Sequence, residues 1–132
     1  RAMQQALRQA GVDASQVQHL NAHATSTPVG DKGELAAIKA LFGTDSGLAI
    51  SSTKSATGHL LGAAGGIEAI FTVLALRDQV VPATLNLQTP DAAAEGLNLI
   101  RGQAQHLPME YALSNGFGFG GVNASVLFRR WI

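Results

Sequence analysis

Apolar residues change their spacing several times along the chain, and each change marks an element. Met3, Ala6, Leu7 and Ala10 recur at helical spacing and stop at Gly11, where a C-terminal cap belongs. Arg1 thus already reads as helical with no N-cap before it, and the chain reads as a piece of a longer protein. "QVQHLNAH" has the pattern of a short strand, and "ATSTPVG" is a polar loop punctuated by Pro28 and Gly30. Asp31 and Glu34 predict a capped helix start, with Leu35, Ile38, Leu41 and Phe42 as its apolar face and Gly43 as its stop.

A second strand, loop and helix follow: "LAISS", "TKSATG", then Leu60 to about Arg77, a segment apolar on nearly every face and so expected to be buried all round. "VVPATLN" must be extended around Pro82, "TPDAAAEG" is a surface loop and "LNLI" a short strand. "YALSN" and "ASVLF" are strands separated by "GFGFGGVN", too short for a crossover helix, which predicts an antiparallel hairpin. The sum is a layered α/β sheet with helices on its faces, one unit over residues 1–132, without internal repeat or linker.

Composition narrows the function classes. A 46% hydrophobic and 14% charged chain belongs with globular proteins. Nine basic and nine acidic residues cancel without any basic run, so charge suggests neither nucleic acid nor an anionic membrane as partner. No apolar stretch approaches the roughly 20 residues of a membrane span, no signal architecture opens the chain, and the expectation is a soluble protein. The absence of cysteine removes disulfides, thiolate metal sites and any cysteine nucleophile from this chain.

Three familiar motifs fail on physical grounds. "GFGFGG" has dinucleotide-type glycines, but a strand follows where a helix N-terminus would have to hold the pyrophosphate. In "TKSATGHLLGAAG" the lysine precedes the glycines and cannot reach back to the phosphates of a phosphate loop. His19 and His23 are four apart, but on a strand that spacing separates them by about 13 Å, so no metal or other cofactor is expected.

Two loops of the same kind remain, "NAHATSTPVGD" and "TKSATGHLLGAAG", each after a strand and before a helix. Such loops line the ligand crevice of an open α/β sheet, so His23 and His59 are expected to face one pocket among Thr25, Ser26, Thr27, Ser55 and Thr57. Two neutral imidazoles that donate N–H to one oxygen stabilise an oxyanion or enolate; the alternative is that each is a hydrogen-bonded structural residue. Lys54 and Glu68 suit a supporting pair, with an ordinary surface salt bridge as the alternative.

"NAHATSTPVGDKGE", "SSTKSATGHLLGAAGGIEAI", "LALRDQVVPATLNL" and "SNGFGFGGVNASV" together resemble the C-terminal part of a β-ketoacyl-[acyl-carrier-protein] synthase of the elongating type, from about Arg1 to Phe128. Polyketide ketosynthases are relatives, usually with a Glu-Ala-His-Gly-Thr-Gly-Thr-like loop. The resemblance implies a thiolase-like fold of two similar α/β halves, a homodimer, and the bacterial cytosol as default compartment. It also implies a cysteine in the first half that accepts the acyl chain from acyl carrier protein. By the same resemblance His23 and His59 correspond to the two histidines that promote malonyl decarboxylation, Lys54 to the lysine that orders the site and Glu68 to its carboxylate partner. Thr25 and Thr27 correspond to residues that hold the phosphopantetheine arm, and Phe119 to a gating phenylalanine.

Three positions depart from the family pattern: Ala24 stands where Gly is usual, Gly116 where Ser is and Val122 where Thr is. Gly116 is expected to loosen the loop that carries Phe119. Without a cysteine, the 132 residues are expected to be inactive alone and the complete parent active. The rival readings are a non-catalytic subunit of the chain-length-factor kind, a polyketide ketosynthase piece, or an inactive structural unit whose cut edges make it associate.

Overall fold

The computed structural model describes residues 1–131, the side chain of Phe119 excepted. In chain order the elements are α1 (Ala2–Ala10), β1 (His19–Asn21), α2 (Pro28–Phe42), β2 (Ala49–Ser51), α3 (Lys54–Thr57), α4 (Ala64–Asp78), β3 (Val80–Val81), β4 (Asn98–Leu99), β5 (Gln105–His106), β6 (Tyr111–Phe117) and β7 (Asn123–Arg129). Five strands form one sheet in the order β4-β2-β1-β6-β7. The first four run parallel, and β7 pairs antiparallel with β6 from Tyr111 opposite Arg129 to Phe117 opposite Asn123. The expected α/β sheet with a terminal hairpin is therefore present, its hairpin arms longer than the apolar runs alone suggested.

The register explains the layering. Leu20, Ile50 and Leu113 line up across three strands, and so do His19, Ala49 and Ala112 one residue earlier. Successive residues of a strand point to opposite faces. The leucine and isoleucine rung meets Met3 and Leu7 of α1 and Ile38 of α2 in one buried core. The alanine rung meets Ala75 and Leu76 of α4 in a second core, and its small side chains let that helix lie close to the sheet. Leu20, Ile38 and Leu113 are fully buried, so truncating any one to alanine costs about 2–5 kcal/mol.

Several boundaries move, each for a local reason. Helix α2 starts at Pro28, three residues before the expected acidic start, because proline has no N–H to lose at the first helical position and its φ is already helical. "TKSATG" contains a single helical turn, α3, which Gly58 ends. The helix expected from Leu60 begins only at Ala64, after a 3-10 turn over Leu61–Ala63 in which Leu61 takes a φ of +51°. Nor is α4 buried all round in this chain. Glu68, Thr72, Ala75 and Leu76 are covered, whereas Ile70 and Val73 are 58% and 44% exposed, because the sheet covers one flank only. "VVPATLN" contributes β3, which pairs with β5; the polar "QH" of β5 carried no strand signal. The loop "TPDAAAEG" is mostly exposed, but a 3-10 turn over Ala92–Ala94 buries Ala94.

His19 is the one imidazole sealed in the core, 1% exposed. Its Nδ1 donates to the Ala49 carbonyl at 2.9 Å, its Nε2 has no protein partner, and burial holds its pKa down from 6.5 to about 4. The folded protein thus binds fewer protons than the unfolded chain between those values, so stability is full above pH 6.5 and falls as pH drops toward 4. The loss from this group saturates at about 3 kcal/mol. In His19→Asn, whose amide nitrogen stands where Nδ1 does, denaturant titrations at pH 7, 5.5 and 4 are expected to show a smaller fall; an unaltered fall would assign it to other groups.

Candidate functional site

The parallel strands β1 and β2 both end toward the same edge of the sheet, and the loops leaving them carry the two histidines expected to meet. The imidazole rings of His23 and His59 are T-shaped, with centroids 5.6 Å apart and planes at 87°. The ring of Phe117, the last residue of β6, stands 5.6 Å from the His23 ring with planes at 48°. His23 is half-buried, and His59 is exposed in this chain. Burial first, then the positive charge of Lys54 and the neighbouring His59, lower the His23 pKa from 6.5 to about 4. At neutral pH the His23 ring is therefore uncharged, and its buried Nδ1 has no protein partner.

Lys54 and Glu68 form a buried ion pair, Nζ to Oε1 2.6 Å, which excludes the surface salt bridge as a description. The single turn of α3 directs Lys54 inward, and the start of α4 brings Glu68 up from the opposite side. Asn21 of β1 closes the same polar cluster: its amide donates to Thr53 Oγ1 at 3.1 Å, while Thr72 Oγ1 donates to the Glu68 carbonyl at 2.8 Å. Two opposite charges this deep cost several kcal/mol of desolvation each, which only close geometry offsets.

Thr25 and Thr27 lie on the loop after β1 with their hydroxyl oxygens 3.4 Å apart. They line a cavity of about 830 Å³ that also reaches Lys54, Ser55, His59 and Thr84. The cavity thus touches one histidine and both threonines, while His23 lies outside its lining. The Phe119 side chain, expected to be a gating phenylalanine, lies outside the described residues. Gly116 belongs to strand β6, opposite Ala124, so it does not loosen the loop. The turn itself is Gly118–Val122, closed by the Gly118 N–H donating to the Val122 carbonyl at 2.7 Å, and Gly120 and Gly121 take φ of +76° and +80° that favour glycine. A strand follows this turn, as the rejection of a dinucleotide site required. Among the described residues no three His, Asp or Glu side chains gather as metal ligands.

Two residues of the neighbourhood went unassigned by sequence reasoning. Phe117 was read as part of a glycine-rich turn, although its alternation with Asn115 marks it as strand. Glu34 was read as a helix-start residue, yet its side chain is buried and accepts the backbone N–H groups of His23 and Ala24.

Residues 1–88 match the family model described as the β-ketoacyl synthase C-terminal domain. The chain belongs to the β-ketoacyl synthase family. It is 52% identical over 99% of its length to a 3-oxoacyl-[acyl-carrier-protein] synthase 2 of Staphylococcus aureus strain COL, of which it covers 32%. A crystal structure of a β-ketoacyl synthase from Burkholderia phymatum superposes with a TM-score of 0.94 at 44% identity, covering 98% of this chain and 31% of that one. The ishigamide ketosynthase/chain length factor superposes with a TM-score of 0.95 at 30% identity, over 100% of this chain and 32% of that one. The fold is thus the thiolase-like α/β arrangement of ketosynthases, and this ketosynthase chain spans about a third of the length of the relatives it matches.

The buried ion pair generates a stability test. In the intact protein, Lys54→Met is expected to lower unfolding free energy by about 3–5 kcal/mol, because Glu68 is left charged and alone. Lys54→Met combined with Glu68→Leu should recover most of that in urea denaturation. A double variant as unstable as the single one would show that the lysine acts through packing.

Proposed function

We propose that this chain is the histidine-bearing C-terminal part of an elongating β-ketoacyl-[acyl-carrier-protein] synthase, and that the intact protein condenses an acyl chain with malonyl-acyl carrier protein. The observation that carries the reading is the pair of imidazoles, 5.6 Å apart and beside the buried Lys54–Glu68 pair, with His23 held neutral. Membership in the family and the name of the staphylococcal relative supply the substrate class.

The chemistry follows from charge. When a malonyl thioester loses carbon dioxide, the bond between the carboxylate carbon and the α-carbon breaks and its electron pair delocalises onto the thioester oxygen. His23 and His59 each donate N–H to that enolate oxygen, and two preset donors in a half-buried site stabilise it better than water does. Lys54, anchored by Glu68, holds the loop that carries His59. Thr25 and Thr27 hydrogen-bond the phosphopantetheine arm of the carrier protein along the cavity. The nascent carbanion then attacks an acyl thioester on a cysteine, which must come from the rest of the protein because this sequence has none. The isolated chain is accordingly inactive in condensation. The intact protein works as a homodimer in the bacterial cytosol.

A chain-length-factor role is the second reading, kept open by the likeness to the ishigamide ketosynthase/chain length factor, whose TM-score of 0.95 is matched by the 0.94 to the Burkholderia synthase. The paired histidines weigh against it, since a subunit that only shapes an acyl tunnel needs no enolate donors.

His23→Ala and His59→Ala in the intact protein are each expected to slow malonyl decarboxylation by about 10²–10³-fold. Acyl transfer to the cysteine should stay within a few-fold. Stopped-flow release of carbon dioxide and mass spectrometry of the acyl-enzyme separate the two steps. Normal decarboxylation in either variant would refute the donor role.

A further inference from the structure

The segment that follows β3 takes no part in the chemistry above, yet it grips the turn that carries Lys54. The Ser52 N–H, just past the end of β2, donates to Thr84 Oγ1 at 3.0 Å. The Leu85 N–H donates to Ser55 Oγ at 2.8 Å, and that hydroxyl donates in turn to the Ser52 carbonyl at 2.8 Å. Thr84 is itself fixed from behind. Its N–H donates to the Ile100 carbonyl at 2.8 Å, and it bridges Arg101, whose guanidinium donates to the Gln88 carbonyl. Two hydroxyls, those of Thr84 and Ser55, thus tie Ser52 and Ser55, which flank Lys54, to a strap held by the residues that follow β4.

Helix α3 needs such a tie because it is only four residues long. The Thr57 N–H donating to the Thr53 carbonyl at 3.2 Å and the Gly58 N–H donating to the Lys54 carbonyl at 2.8 Å are the backbone bonds that close it. A lone turn fixes more backbone dihedrals than so few bonds offset, so its orientation has to come from outside. The Lys54–Glu68 pair supplies one tie, to α4, and the hydroxyl clasp supplies a second, to a different element. Downstream there is no third. Gly58 turns the chain at a φ of +78°, and every residue from there to Ala63 is exposed, His59 included. A rotation of α3 therefore passes directly into the position of the His59 ring.

We propose that Thr84 and Ser55 are positioning residues for decarboxylation: their hydroxyl clasp orients the α3 turn and, through it, the His59 imidazole relative to His23. The inference rests on the donor role given to His59 above. Donors aimed at one oxygen tolerate little displacement, and a misplacement of about 1 Å can cost about 10²-fold in rate. Thr84 and Ser55 also line the cavity that Thr25 and Thr27 share, so direct contact with the pantetheine arm is the competing account. Contact of that kind raises KM, whereas a displaced donor lowers kcat.

The test uses the intact protein with malonyl-acyl carrier protein. It compares Thr84→Val, which keeps the shape and loses the hydroxyl, with Thr84→Ser, which keeps the hydroxyl, and adds Ser55→Ala and the control His59→Ala. The expected result for Thr84→Val and for Ser55→Ala is a kcat for decarboxylation about 10-fold down with KM within about twofold and acyl transfer to the cysteine retained. Thr84→Ser should stay within about twofold of the wild type in kcat. Unchanged decarboxylation in either hydroxyl deletion, while His59→Ala is slowed, overturns the clasp alone. Normal decarboxylation in His59→Ala overturns the underlying donor reading instead. A raised KM with unchanged kcat in Thr84→Val makes the residue a substrate contact, and equal losses in Thr84→Val and Thr84→Ser show that the hydroxyl is not what acts; either result defeats the proposal. If Thr84→Val loses both half-reactions in step with its thermal midpoint, the role is structural only and the proposal fails. Should that variant not fold, Ser55→Ala decides the matter by the same criteria.

Discussion

The buried contact between Lys54 and Glu68 is the interaction on which the site depends. It joins the one-turn α3 to the first turns of α4, and between them lies the stretch that carries His59. That stretch is short, glycine-rich and exposed, with Leu61 in a left-handed conformation, so it has little packing of its own to define its path. An anchor at each end does what packing cannot. The ammonium also sits near enough to His23 to help keep that ring uncharged, so the same contact shapes both the place and the protonation of the histidines.

Seen across the sheet, the site is assembled from both faces. The α4 face supplies the ion pair with Asn21, Thr53 and Thr72 behind it. The α2 face supplies Glu34, with Asn115 and Ser125 behind it. The apolar rungs keep these polar groups apart in the middle of the sheet and let them converge only at the carboxyl ends of the strands. Polar residues in such a position are tolerated because most of their donors and acceptors have partners; His23 Nδ1 and Glu68 Oε2 are among the buried atoms that have none within the chain.

Much of this was legible in the sequence, and the failures have physical causes. The strand, loop and helix units and the terminal hairpin were readable because hydrophobic spacing reports them directly; His23 and His59 followed from their equivalent places in two such units. Boundaries were not readable where backbone chemistry overrides composition, as at Pro28, which starts a helix instead of interrupting a loop. Strand β5 was missed because Gln105 and His106 are both exposed and owe their pairing to β3. Glu34 was misread because an acidic residue near a helix start has an ordinary capping explanation, and only the fold shows that its side chain turns back toward the preceding loop. Whether the Lys54–Glu68 contact is buried or exposed is likewise a property of layering, which spacing alone does not contain.

The alanine at position 24 carries a consequence for the unfolded chain. Glycine, usual here in the family, reaches a φ of +29° without strain but has the widest range of unfolded conformations to give up. Alanine reverses the balance: strain of about 1–2 kcal/mol in the folded loop is set against roughly 0.4–1 kcal/mol recovered from a narrower unfolded ensemble. The shortfall is small enough for two short bonds to one carboxyl group to cover. A loop built this way is stiff because its alternatives are sterically poor, and it yields its shape only when that carboxyl group lets go.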